Sequence, residues 1–292
     1  MSQFQWHPTD RQCYLVNGEI TTTSELPNSM FNRGFLYADG FFETVRIAHG
    51  TPQNIDLHWN RITASLAAHR IQNHQHLNAQ TLFDTLSNLC NRNGIDKGGR
   101  VRITFFREGG GRYRPESNGM AWIATSDSLS ENEWSSSDKG LNIDVFDGMK
   151  KLVGPFSNFK NLNSGLYIQA ALWASENGLD DALIQNHQSN IVESSHSNLF
   201  LVSNRVLYTP GLDSGPVGGV MRASVINAAL RNGYKVYECN ITPKEMLQAD
   251  EMFLTNTIRG IQWVASYRTK RYFHQTAKEL THIMNDLLLR KP

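Results

Sequence analysis

Two residues in the second half of the chain have types and surroundings suited to chemistry, Lys160 and Glu193. Partial burial at the entrance to a helix would free the Lys160 amine for covalent chemistry with an aldehyde. Glu193 lies in the run IVESS, and a carboxylate at the end of an apolar strand can keep the nitrogen of a pyridine ring protonated. Taken alone, each residue has a plainer interpretation, Lys160 as a solvated helix cap and Glu193 as part of a surface turn.

The segment between these residues contains the elements that must position them. Its apolar spacing predicts a helix at 166–176, which Gly178 ends, and a short strand at 182–184. A lysine before a helix and a carboxylate after a strand can converge in space. The pair is therefore a candidate reactive centre.

A second group of residues could bind an anion. Gly218 and Gly219 precede a predicted helix at 221–232, whose first backbone N–H groups and dipole favour a phosphate. Arg61, early in another predicted helix, could add a guanidinium fork, and Thr257 a hydroxyl. An ordinary glycine turn is the plainer alternative. Neither the P-loop lysine pattern nor the dinucleotide-binding glycine pattern occurs, which argues against those ligands.

Composition limits the class of protein. The chain has 292 residues, 19% charged residues and a net charge of +1, so it has no basic footprint for nucleic acid. Cys13, Cys90 and Cys239 are far apart and lack metal-ligand spacing, which favours reduced thiols and no metal site. The N-terminal MSQFQWHPTDRQ lacks a signal-peptide pattern, and no apolar run approaches about 18 residues. We expect a cytoplasmic protein with no membrane segment.

Residues 126–139 form a serine-rich and acidic stretch without periodicity, which predicts an interdomain linker. Before it, residues 1–125 have the pattern of a sheet with two helices, a small α+β domain. After it, residues 140–292 alternate strands and helices and form a larger domain that carries Lys160. The predicted fold class is α/β (α+β).

Six segments in order resemble the class IV aminotransferases, which are fold type IV pyridoxal-phosphate enzymes. They are RGFLYADGFFETVRI, HWNR, the lysine before a helix, IVESSHSNLFLV, TP followed by GGVMR, and DEMFLTNTIRGIQWV. The resemblance covers 33–264. It implies a two-domain fold similar to D-amino acid aminotransferase with pyridoxal 5'-phosphate between the domains, and a homodimer whose small domain helps to build the partner's site.

The resemblance also implies roles for individual residues. Lys160 would bond covalently to the cofactor, and Glu193 would pair with its ring nitrogen. The phosphate would be held by a guanidinium, two backbone amides and a hydroxyl, those of Arg61, Val220, Met221 and Thr257. Many aminotransferases of the family have threonine at the place of Met221, so this chain would rely there on backbone N–H.

Three features are similar to the branch of the family that contains 4-amino-4-deoxychorismate lyases. They are the GGVMR turn, the loop REGGGR between Arg107 and Arg112, and the positions of Asn256 and Thr44. The REGGGR loop would bring cations to a dicarboxylate substrate. Asn256 would bind substrate, and Thr44 would assist elimination. Each has an alternative: Arg107 and Arg112 could simply be solvated loop residues, Asn256 could cap a turn, and Thr44 could be an ordinary strand residue.

The expected reaction converts 4-amino-4-deoxychorismate to 4-aminobenzoate and pyruvate, a step of folate biosynthesis. Lys160 would take the proton from the ring carbon that bears the amine. Arg46, Arg107 and Arg112 are candidates for binding the two carboxylates, because guanidinium forks match carboxylate geometry.

Two alternatives stay open. An aminotransferase for D-amino acids or branched-chain amino acids, with 2-oxoglutarate, would use Tyr37, Phe41 and Phe42 to line a substrate pocket; these aromatic residues could equally be core. A pyridoxal-phosphate carrier without turnover is the other, and the presence of both Lys160 and Glu193 argues against it.

Overall fold

The computed structural model of the protein describes residues 13–22 and 32–289. Two units divide the chain, 1–132 and 133–292, and the division falls inside the predicted linker. The beginning of that linker differs from the prediction, because its first residues continue a strand that ends at Leu129. The N-terminal segment that argued against a signal peptide lies outside the described residues.

The first unit contains a six-stranded antiparallel sheet in the order β2-β1-β6-β5-β3-β4. Alternation along β3 turns Phe41, Val45 and Ile47 into the core and leaves Phe42 and Thr44 on the other face. The strands are β1 (Cys13–Val16), β2 (Glu19–Thr22), β3 (Gly40–Ala48), β4 (Thr51–Pro52), β5 (Gly98–Arg107) and β6 (Met120–Leu129).

The described residues of this unit form three helices: α1 (Arg33–Tyr37), α2 (Ile55–His69) and α3 (Ala79–Arg92). The apolar faces of α2 and α3 join the core through Ile62, Leu82 and Leu86. Asn78 begins α3 with a capping box, in which its side chain and that of Thr81 each accept a backbone N–H. The short α1 escaped prediction because five residues are too few to show helical periodicity.

The second unit contains a nine-stranded mixed sheet. Six of its strands, β10-β13-β14-β7-β8-β9, form a ring because β9 also pairs with β10, at Glu193 and Asn198. The strands are β7 (Leu141–Lys151), β8 (Asp181–Asn186), β9 (Ile191–Ser194), β10 (Asn198–Ser203), β11 (Val206–Pro210), β12 (Lys235–Cys239), β13 (Glu251–Asn256), β14 (Gly260–Tyr267) and β15 (Lys270–Arg271).

Four α-helices complete the described part of the second unit: α4 (Gly165–Glu176), α5 (Val220–Arg231), α6 (Pro243–Gln248) and α7 (Gln275–Leu289). The predicted helices at 166–176 and 221–232 are therefore confirmed to within one residue at each end. Among the described residues, no helix is long and apolar enough to span a membrane. The same residues include no group of three or more His, Cys, Asp or Glu side chains placed to hold a metal ion.

Candidate active site

Glu193 is a buried carboxylate in β9, with 3% of its surface exposed. Its Oε1 accepts from the Lys151 ammonium at 2.5 Å and from the Tyr167 hydroxyl at 2.8 Å. Its Oε2 accepts from the Val217 backbone N–H at 2.8 Å. The plainer interpretation of Glu193 as a surface-turn residue is therefore wrong.

The acceptor capacity of Glu193 is almost filled by these three contacts. A carboxylate offers about four lone-pair directions, so the three donors leave one acceptor direction, on Oε2. Lys151 balances the negative charge inside the protein, which a buried carboxylate requires. One further N–H donor, such as a protonated ring nitrogen, matches this arrangement.

Sequence reasoning missed Lys151 and Tyr167. Lys151 ends β7, where the pairing with β8 shifts register between Phe146 and Lys151. This irregularity removes the alternation that would have marked Lys151 as inward-facing. Burial beside the Glu193 carboxylate raises the pKa of the Tyr167 hydroxyl, so this group stays a proton donor.

Lys160 is half-buried in the segment between β7 and α4. Asn158 ties this segment to the loop before α5, because its side-chain amide donates to the carbonyls of Leu212 and Pro216 at 2.8 and 2.7 Å. The Asn158 carbonyl in turn accepts the Gly218 N–H at 2.9 Å. The structure thus joins the chain segment that carries Lys160 to the predicted phosphate turn.

The N-terminus of α5 begins at the cap residue Gly219, which has no side chain to bond the first N–H groups. A Cβ at Gly219 would lie 1.9 Å from Oδ1 of Asn198, so only glycine fits beside that side chain. Met221 is buried, with 1% of its surface exposed. An anion at this helix terminus would therefore meet backbone N–H groups, as the sequence predicts.

The turn after β13 contains two further predicted site residues. Oδ1 of Asn256 accepts the N–H groups of Ile258 and Arg259 at 3.0 and 2.8 Å, and its amide donates to Ser197 Oγ at 2.9 Å. Asn256 therefore caps the turn and joins it to the β9–β10 connection. Thr257 is half-buried in this turn, and its carbonyl accepts from the Trp134 indole at 3.1 Å.

In the first unit, Arg61 is held by a buried carboxylate. Its Nε and a terminal nitrogen each lie 2.7 Å from one oxygen of Glu43, and His58 Nδ1 lies 2.7 Å from Oε2 of the same group. Burial opposes ionisation of Glu43, but the Arg61 charge and the His58 and Arg61 hydrogen bonds lower its pKa to about 2. A fork–fork pair of this kind fixes the direction of the guanidinium.

Thr44 lies on the opposite face of the same sheet, directly across from Arg102 of β5. The Arg102 guanidinium stacks 3.8 Å from the Phe42 ring centroid. Burial and the neighbouring Arg100 lower the pKa of Arg102 to about 10. No carboxylate of the described residues pairs with it. Arg102 was not among the predicted site residues, although the alternation of β5 puts it on the Thr44 face.

Arg107 and Arg46 are both buried, but the structure uses their donors to different extents. All five Arg107 donors are used inside the unit, by Asp39, Asn118 and the carbonyls of His69 and Arg70. Arg46 donates to the carbonyls at 131 and 132 and is 4% exposed. Because all five of its donors are used, Arg107 has none for a substrate carboxylate, so this prediction is wrong. The role of Arg46 stays a prediction.

The glycine loop after β5 is built around another buried arginine. Arg33 donates to the carbonyls of Gly110, Gly111 and Arg112 at 3.2, 3.0 and 2.8 Å. The Arg112 side chain is exposed, so it stays a predicted carboxylate ligand. Tyr37 is 39% exposed and contacts the Tyr113 ring edge-on, with centroids 6.0 Å apart.

Comparisons with known proteins identify the family and the fold of this chain. A family model described as amino-transferase class IV matches residues 40–267. An aminodeoxychorismate lyase of Vibrio harveyi is 25% identical over 232 residues, 79% of this chain and 83% of the relative. A branched-chain-amino-acid aminotransferase of Pseudomonas aeruginosa is 33% identical over 101 residues, 35% of this chain and 32% of the relative.

A solved structure shows the same fold. The branched-chain amino acid aminotransferase of Thermobaculum terrenum, crystallised in its PLP form, has a TM-score of 0.84 and 20% sequence identity to this chain. The match covers 96% of this chain and 94% of that one. The predicted mixed α/β fold is therefore confirmed.

Proposed function

We propose that this chain, which belongs to the amino-transferase class IV family, is a pyridoxal-phosphate enzyme that cleaves 4-amino-4-deoxychorismate to 4-aminobenzoate and pyruvate. One observation carries the cofactor assignment: Glu193 is charge-balanced and has one acceptor direction left. Lyase relatives that match over most of both chains support the choice of reaction. A putative branched-chain aminotransferase also matches over 84% of both chains, so the extent of the match does not separate this function from the second candidate below.

The residues present suit three groups of the cofactor: its ring nitrogen, its phosphate and its aldehyde. Glu193 Oε2 would accept the ring N–H, and the amides of Val220 and Met221 would donate to the phosphate together with Arg61 and Thr257. Pyridoxal phosphate, when bound, withdraws electrons from the carbon next to the substrate nitrogen. Lys160 would bond to the cofactor aldehyde and, once released, act as the base.

Side chains of this protein would transfer the proton and bind the carboxylates of the substrate. The Lys160 amine would take the proton from the ring carbon that bears nitrogen. The Thr44 hydroxyl would donate to the departing enolpyruvate. Arg102, which stacks on Phe42 and pairs with no carboxylate of the described residues, replaces Arg107 among the proposed carboxylate ligands. Arg112, which is exposed, and Arg46 remain the other two.

One experiment tests the cofactor and the reaction together. Purified protein with pyridoxal phosphate should show the absorbance band of a protonated imine, and Lys160→Ala should abolish it. Incubation with 4-amino-4-deoxychorismate should give 4-aminobenzoate and pyruvate without conversion of the cofactor to its amine form. An unchanged spectrum in Lys160→Ala would overturn the lysine assignment.

The second candidate is an aminotransferase, which the branched-chain relatives support. The same preparation would be given D-alanine or L-leucine with 2-oxoglutarate. Rapid glutamate formation with no pyruvate from aminodeoxychorismate would reverse the order of the two functions. Absence of all turnover with cofactor bound would favour a carrier.

Two further proposals concern the assembly and its surroundings. The family resemblance supports a homodimer, which light scattering of the purified protein would test. The described cysteines, Cys13, Cys90 and Cys239, form no disulfide, and burial raises the pKa of the Cys90 thiol to about 11. Unpaired thiols support a reducing, cytoplasmic location, which fractionation of cells would test.

A further inference from the structure

The turn that precedes α5 contacts side chains of two neighbouring strands. Glu193 of β9 and Asn198 of β10 lie directly opposite each other in an antiparallel pair, so their side chains are on the same face. Both residues are buried, with 3% and 6% of their surfaces exposed. Asn198 is not among the predicted site residues, and the proposed function gives it no role.

Both of these side chains bind Val217. Its N–H donates to Oε2 of Glu193 at 2.8 Å, and its carbonyl accepts from the side-chain amide of Asn198 at 2.7 Å. Val217 is therefore fixed through the peptide groups on both of its sides. The two groups that fix it come from the strand pair that carries the proposed acceptor for the ring nitrogen.

The Val217 carbonyl also determines the shape of the turn. It accepts the Gly219 N–H at 2.8 Å in addition to the Asn198 amide, so both of its lone pairs are used. Gly219 is the N-cap of α5, and Oδ1 of Asn198 leaves no room for a Cβ there. The helix terminus that would bind the phosphate thus begins two residues after a carbonyl whose direction Asn198 fixes.

Asn158 binds the neighbouring backbone groups of the same turn. Its amide donates to the Pro216 carbonyl at 2.7 Å, and its carbonyl accepts the Gly218 N–H at 2.9 Å. Every backbone polar group from the Pro216 carbonyl to the Gly218 N–H therefore has a partner. The turn cannot shift relative to Glu193 without breaking at least one of these hydrogen bonds.

We propose that Asn198 is a positioning residue that fixes the separation between Oε2 of Glu193 and the N-terminus of α5, and so makes the site specific for a ligand with both a ring N–H and a phosphate. The inference rests on the proposed function, in which pyridoxal phosphate contacts both groups. A fixed separation favours such a ligand because the turn does not have to be ordered on binding. A ligand without a phosphate does not use the turn.

The test compares the affinities for pyridoxal 5'-phosphate and for pyridoxal, which lacks the phosphate, in the full chain after removal of bound cofactor. Both aldehydes would form an imine with Lys160, so one absorbance band measures both. Asn198→Ala should weaken binding of pyridoxal phosphate and leave that of pyridoxal nearly unchanged. The ratio of the two affinities should fall about tenfold, as expected for the loss of one buried hydrogen bond.

Asn186→Ala is the matched control. Asn186 is also buried, and its amide donates at 2.9 Å to the carbonyl of Ser214, three residues before Val217 in the same loop. This variant should lose thermal stability as Asn198→Ala does and keep the wild-type affinity ratio. If Asn198→Ala does not fold, Asn198→Ser takes its place, because its hydroxyl is one bond too short to reach the Val217 carbonyl.

A merely structural role for Asn198 would lower stability and weaken both ligands by the same factor. That result, an unchanged ratio in the Asn198 variant, or an equal fall of the ratio in Asn186→Ala would overturn the positioning role. A wild-type protein that forms no imine with pyridoxal phosphate would instead overturn the proposed function. A wild type that forms the imine and releases pyruvate, with an unchanged ratio in the Asn198 variant, would overturn the positioning role alone.

Discussion

The Lys151 ammonium lies 2.5 Å from Oε1 of Glu193, inside the second unit. Their side chains are 9% and 4% exposed, so water contributes little to solvating either charge. Lys151 also donates to the Ser157 carbonyl at 2.9 Å. The pair therefore supplies a charge-balanced carboxylate where the proposed cofactor ring would bind.

Lys151→Met leaves the Glu193 carboxylate buried beside Tyr167 without its counter-charge. Removing one partner of a buried pair typically costs about 3 kcal/mol, so the free energy of unfolding should fall by roughly that amount. Added pyridoxal phosphate should restore more stability in this variant than in the wild type, because the ring N–H⁺ replaces the missing charge.

Thermal unfolding with and without the cofactor measures this difference. Lys150→Met, at the neighbouring exposed lysine, is the control. An equal cofactor-induced shift in Lys151→Met and in the wild type would contradict the proposed contact between Glu193 and the ring nitrogen.

The Glu43 ion pair should make stability depend on pH. Its pKa falls from 4.5 to about 2 in the folded protein, so its contribution is complete above pH 4.5 and is lost as pH falls toward 2. A shift of that size corresponds to roughly 3 kcal/mol. The advantage of the wild type over Glu43→Gln should therefore be constant above pH 5 and shrink below about 4.5.

Urea unfolding of both proteins between pH 2.5 and 7 provides the comparison. Asp84→Asn changes an exposed carboxylate of α3. The difference in unfolding free energy between the wild type and this variant should not shrink at low pH. A wild-type advantage that stays constant down to pH 3 would mean that the pair does not act as described.

Gly219→Ala should weaken the proposed phosphate site. The new Cβ would lie 1.9 Å from Oδ1 of Asn198, whose amide is fixed by the Val217 carbonyl at 2.7 Å. The start of α5 must shift, and we expect affinity for pyridoxal phosphate to fall at least about tenfold, or 1.4 kcal/mol. Fluorescence titration measures it. Gly154→Ala, where a Cβ meets open space, should bind normally.

Arg107 and Arg102 should respond differently to mutation. Burial opposes ionisation of Asp39, but Arg107 and Arg33 hold its pKa below the usual range. Arg107→Met leaves Asp39 short of a partner and should destabilise the protein by about 3 kcal/mol. Arg102→Met should leave stability nearly unchanged and raise KM for aminodeoxychorismate about tenfold.

Thermal unfolding and steady-state kinetics of the two variants measure these effects. A normally stable Arg107→Met with a raised KM would restore the original prediction that Arg107 binds substrate. An unchanged KM in Arg102→Met would remove Arg102 from the carboxylate site.

Local patterns determined much of this protein. The spacing of apolar residues placed α4 and α5 to within one residue at each end, and the glycines marked the start of α5. Helices and strands form through neighbours in the chain, so short windows contain their signal. The segments around Lys160, Glu193 and GGVMR, in their order along the chain, also sufficed to identify the family.

Only the tertiary structure decided which charged side chains are paired with other groups inside the fold. Arg107 and Arg102 both lie on β5, yet the first is saturated by Asp39 and backbone carbonyls while the second stacks on Phe42. Glu193 is paired with Lys151 across an irregular stretch of β7. The partners of a buried charge depend on strand register and chain crossings, and these join residues that no local sequence pattern links.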